Sequence, residues 1–148
     1  MSILKLFVLL LTIFTYFSCN NLQEIKHRIA GGYYPNEHET NYYVSIRTHS
    51  PTLFYGDNHF CGGSLIKADT VISAAHCFFL EDGNVMNTDD LIVIGGGFRR
   101  LSELGTQISE VKNIKLPEDY GGFGSDISVL YLMTPFTVDR NWVDIIPM

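Results

Sequence analysis

Val71-Ile72-Ser73-Ala74-Ala75-His76-Cys77 is the stretch from which the rest of the chain can be placed. Its β-branched opening reads as the end of a buried strand, and Ala74-Ala75 as a tight turn with no bulk beside the imidazole of His76. Cys77 would tie that turn down if it had a partner. Phe60-Cys61-Gly62-Gly63-Ser64-Leu65-Ile66 supplies one on another apolar strand, so a Cys61–Cys77 bridge would staple two strands beside the histidine. An unstrained staple around a loop of about 15 residues contributes roughly 3 kcal/mol.

Outward from this stretch the pattern is one of short apolar or alternating runs, punctuated by Gly, Pro, Asn and Asp. No run sustains a helical period, and strands are expected near residues 42–47, 61–66, 70–73, 91–95, 106–116 and 127–132. Six strands suit one small closed all-β barrel. Residues 49–58 and 80–89 read as surface loops. With 148 residues, one domain is the default, and 46% hydrophobic with 13% aromatic residues excludes a disordered chain. The net charge of -6 lies in short acidic pairs such as Glu81-Asp82 and Asp89-Asp90. No basic stripe exists, which argues against a nucleic-acid partner.

The amino terminus carries Lys5 and then about a dozen apolar residues from Leu6 to Phe17. A membrane span needs about 20 such residues, so residues 1–19 are expected to be a secretory signal peptide, with an uncleaved anchor as the other reading. Secretion places the chain in an extracellular, oxidising compartment, off the membrane once the leader is removed, and permits the bridge. Cys19, the one other cysteine, then lies in or beside the leader. Residues 20–28 read as a polar propeptide ending in Arg28.

Cys61-Gly62-Gly63-Ser64-Leu65-Ile66 followed by Ile72-Ser73-Ala74-Ala75-His76-Cys77 resembles the trypsin/chymotrypsin family of serine endopeptidases around its catalytic histidine. Arg28-Ile29-Ala30-Gly31-Gly32 resembles the family's zymogen activation site. Ser125-Asp126-Ile127-Ser128-Val129-Leu130-Tyr131-Leu132 resembles the strand that starts with its catalytic aspartate. The three lie in the family's order. The resemblance implies a six-stranded antiparallel Greek-key barrel over residues 29–148, the first of the family's two. It also implies activation by a trypsin-like protease that cuts after Arg28 and frees Ile29, and a protein or peptide substrate.

By the same resemblance His76 is the general base and Asp126 its orienter. The carboxylate fixes the imidazole tautomer and stabilises the imidazolium, and Gly121-Gly122-Phe123-Gly124 makes a flexible lead-in to it. His27, His38, His49 and His59 are scattered without metal-ligand spacing and read as structural. Gly95-Gly96-Gly97 has no helix or Lys-Ser/Thr after it and reads as a turn. The family's calcium loop would fall where Arg99-Arg100 stand, so no metal and no cofactor are expected.

The family's nucleophile sits in a Gly-Asp-Ser-Gly-Gly-Pro stretch, and neither Ser64 nor Ser125 has that context. The chain is therefore expected to be the N-terminal half of a secreted endopeptidase, inactive by itself. A secreted non-catalytic homologue serving as a binding or regulatory module is the alternative. Thr134-Pro135-Phe136 is expected to leave the barrel, and Trp142 with Ile145-Ile146 to belong to an apolar face left open to water.

Overall fold

The computed structural model describes residues 32–33, 35–36, 39–118, 120 and 125–147. The expected leader, the propeptide with Arg28, Ile29, and the Gly121–Gly124 lead-in lie outside the described residues. The barrel falls in the compact unit Pro35–Met148.

Each β-branched run forms a strand because alternate side chains can be buried while their neighbours face outward. The strands are β1 (Tyr43–Thr48), β2 (His59–Lys67), β3 (Thr70–Ser73), β4 (Leu91–Gly95), β5 (Gln107–Lys115) and β6 (Ser128–Leu132). In β1, Val44 and Ile46 are buried in the core while Tyr43 and Ser45 alternate with them. β4 is buried along its whole length, as its run Leu-Ile-Val-Ile leads one to expect.

All strand pairs are antiparallel, and the order β1-β2-β3-β6-β5-β4 closes when β4 pairs back onto β1. β3 is followed around the sheet by β6 and not by β4, which gives the Greek-key crossing. Closure leaves no unpaired edge. Register shifts at Ile46/Arg47, Leu65/Lys67 and Val111/Asn113 bend the strands around the turn of the barrel. Val44, Leu65, Val71, Val93 and Leu130 meet in its interior, with Phe78 among them.

Strand positions agree with the sequence reading to within one or two residues. β2 reaches back to His59 because β1 continues to pair with it there, Arg47 facing His59. Two 3-10 turns, Ala75–Phe78 and Thr88–Asp90, lie between the strands. None of the helices described is long and apolar enough to cross a membrane.

The carboxyl-terminal segment differs from expectation. Phe136 does not leave the barrel: it is 4% exposed, and its N–H donates to Ala68 O at 2.8 Å. One Asp139 oxygen accepts the N–H groups of Asn141, Trp142 and Val143, and the turn so formed returns Val143 to full burial. Ile145 packs against the core and the Ile146 N–H donates to Leu65 O, so only Trp142, 41% exposed, matches the expected open face. The segment seals the barrel because burying three apolar side chains outweighs leaving them to water.

Candidate active site

β3 ends at Ser73, whose hydroxyl donates to Gly62 O at 2.8 Å and ties the strand's exit to β2. Ser128 at the head of β6 donates to Ala74 O at 3.1 Å. Between these two latches the chain turns into the 3-10 segment Ala75–Phe78. Ala75 is completely buried, which explains why a small residue stands before the histidine. Phe78 anchors the far end in the core, edge-on to Phe60 with ring centroids 6.4 Å apart.

Cys61 and Cys77 form a disulfide with Cα atoms 6.2 Å apart, so the turn is also covalently fixed to β2. Both sulfurs approach His76, but sulfurs bonded to each other offer no thiolate to a metal.

Asp126 stands two residues before β6, and its carboxylate grips His76 twice. Oδ1 accepts the His76 backbone N–H at 2.8 Å, and Oδ2 lies 2.7 Å from Nδ1 of the ring. The hydrogen bond from the ring, followed by those from the His76 and Ala75 backbone, holds the Asp126 carboxyl below the usual aspartate range. An ionised carboxylate can only accept, so Nδ1 carries a proton, and in the neutral ring Nε2 is then the nitrogen with the free lone pair. The two side chains are 60% and 51% exposed. A basic nitrogen is thus oriented by a carboxylate and open to an incoming hydroxyl.

The structure brings together four of the residues singled out from sequence: His76, Asp126, Cys61 and Cys77. Arg28 and Ile29 lie outside the described residues. Arg100 Nη1 donates to Gly56 O. Sequence reasoning gave no role to the Ser73 and Ser128 hydroxyls or to the His76 N–H. Their partners are 11, 54 and 50 residues away, and no local pattern marks such bonds.

The family model described as trypsin matches residues 29–145. The chain belongs to the trypsin family. It is 32% identical over 88 residues to fibrinolytic enzyme, isozyme C, of Lumbricus rubellus, covering 57% of this chain and 34% of that protein. It is 29% identical over 117 residues to the lectizyme of Glossina austeni, covering 76% of this chain and 37% of the relative. Rat (Rattus norvegicus) trypsin V-A is 31% identical over 123 residues, 82% of this chain and 43% of the rat protein. The chain spans less than half the length of each of these trypsin-family relatives.

Proposed function

We propose that this chain is the N-terminal part of a secreted serine endopeptidase, with His76 as general base and Asp126 as its orienter. The observation that carries the reading is the carboxylate of Asp126 held 2.7 Å from Nδ1, which leaves Nε2 as an exposed proton acceptor. A serine hydroxyl brought to Nε2 by the rest of the polypeptide loses its proton as it attacks a peptide carbonyl. Nε2 then returns that proton to the leaving amine, and the carboxylate stabilises the transient imidazolium. The 148-residue chain by itself does not hydrolyse peptides, because a His-Asp pair without a nucleophile and oxyanion donors has nothing to activate.

The same reading takes residues 1–19 as a leader and 20–28 as a propeptide. A trypsin-like protease cuts after Arg28, and the freed Ile29 terminus completes the active form. Belonging to the trypsin family, the order of the three motifs and the less-than-half coverage of the relatives support it.

Two measurements test this. Sequencing the transcript past the Met148 codon is expected to read on into a Gly-Asp-Ser-Gly-Gly-Pro stretch; a second barrel without that serine points to the binding-module alternative. Treating the full-length protein with trypsin is expected to produce peptide hydrolysis together with a new terminus at Ile29. The Arg28→Gln variant should gain neither, and full activity in that variant would refute the activation scheme.

A further inference from the structure

The antiparallel ladder between β3 and β6 runs from Thr70 opposite Tyr131 to Ser73 opposite Ser128 and stops there. Both members of the His76–Asp126 pair lie just past this last rung, His76 three residues beyond Ser73 and Asp126 two residues before Ser128. On the histidine side the turn is fixed by the Cys61–Cys77 bridge, by buried Ala75 and Phe78, and by the Ser73 hydroxyl on Gly62 O. The aspartate side is more open. The Asp126 side chain is 51% exposed and Ile127 is 56% exposed, so the nearest buried residue downstream of Asp126 is Ser128, at 0%.

Ser128 is polar where the pattern of its strand calls for an apolar residue. β6 buries Ser128, Leu130 and Leu132 on one face, and the two leucines belong to the core. A hydroxyl taken out of water at such a position is costly unless it is hydrogen-bonded. Its bond goes to Ala74 O, the carbonyl of the extended residue that leads into the 3-10 turn Ala75–Phe78. The side chain thus makes a cross-strand link one step past the last rung of the backbone ladder. That link joins the residue two before His76 to the residue two after Asp126.

We propose that Ser128 is a positioning residue for His76: its hydroxyl sets the spacing between the head of β6 and the turn, and so holds the Asp126 carboxylate against the ring and backbone nitrogens of His76. This role rests on His76 acting as the general base. The two contacts are 2.8 and 2.7 Å long, and hydrogen bonds weaken steeply once length or angle departs from the ideal. Loss of the hydroxyl takes a donor from Ala74 O and lets the strand head and the turn separate, which loosens both contacts. The base is then less firmly oriented and the transient imidazolium less well stabilised. Ser128 is fully buried and out of a substrate's reach, so the loss falls on kcat and not on KM. The Asp126 carboxyl, held below the usual range first by the bond from the His76 ring and then by that from its backbone, moves back toward that range.

Ser128→Ala removes the hydroxyl, while Ser128→Cys keeps the size with only a weak S–H donor and decides the matter if the first variant does not fold. In the trypsin-activated full-length protein both should lose about tenfold to a hundredfold in kcat on one peptide substrate, with KM within about twofold of wild type. NMR of the Asp126 carboxyl should show its midpoint shifted upward, toward 3.8, in the same variants. A purely structural role would lower the urea midpoint and leave both readouts alone. Wild-type kcat in both variants, or an unchanged Asp126 midpoint, therefore overturns the proposal. The titration needs no turnover, so it decides the role of Ser128 by itself, whereas an activated wild type without turnover would refute the general-base reading instead.

Discussion

Asp126 does two jobs with one carboxylate, holding both the ring and the backbone of His76. Asp126→Asn preserves the shape but offers an amide that no longer enforces a proton on Nδ1. In the activated full-length protein kcat should fall by about 10⁴-fold, the loss the same change causes in the Ser-His-Asp triad of this family, with KM little changed. Steady-state kinetics on one peptide substrate checks it; a loss under tenfold would show that the carboxylate does not orient a base. The same contact sets a pH dependence. Because the folded Asp126 pKa is depressed, the contact's stabilisation is present above the unfolded value and is lost as pH falls through the lower folded one. The Asp126 carboxyl resonance should therefore titrate with a midpoint below the reference value of 3.8. A midpoint at or above that value contradicts the double hydrogen bond.

Two elements fix where this residue pair stands. Strand β2 passes so close to β3 that a Cβ on Gly63 would meet Val71 Cγ1 at 2.6 Å and Ile72 O at 2.9 Å. Gly63→Ala forces these strands apart and should cost about 1–3 kcal/mol in urea unfolding of the full-length protein, a loss that overpacking of a tight site produces. The disulfide joins β2 to the 3-10 turn, and replacing Cys61 and Cys77 together by serine should cost about 2–5 kcal/mol. An unfolding midpoint unchanged by that double replacement would show that the bridge does not hold the turn. The six strands were legible because each is a run of β-branched or alternating apolar residues bounded by turn formers, a signal contained in a few consecutive positions. The 3-10 geometry of Ala75–Phe78 was not, since sequence marks a turn there without its hydrogen-bond pattern. Nor was the return of Phe136, Val143 and Ile145 to the barrel, which depends on Asp139 capping a turn and on room left beside Leu65 and Ala68. In the site, the His76–Asp126 pairing was legible through motif resemblance, whereas the serine latches are long-range bonds between unremarkable hydroxyls and carbonyls.

At the scale of the molecule, a closed barrel carries the hydrogen-bonded His76–Asp126 pair on its surface. Around Trp142 the barrel also shows an apolar depression of about 200 Å³, lined by Tyr43, Phe98 and Trp142, each between 41% and 50% exposed. Such a surface favours association. The 148-residue chain expressed alone should elute as oligomers or aggregate, whereas a monomer with a sharp reversible thermal transition would show that the barrel needs no cover. The central claim concerns His76 itself, and the most direct measurement is hydrolysis of a peptide substrate by the trypsin-activated full-length protein, wild type against His76→Ala. The account predicts turnover in the wild type, labelling of a serine by a fluorophosphonate, and loss of at least about 10⁴-fold in kcat on substitution. Equal turnover in the variant, or no turnover and no labelling in an activated wild type, would contradict it.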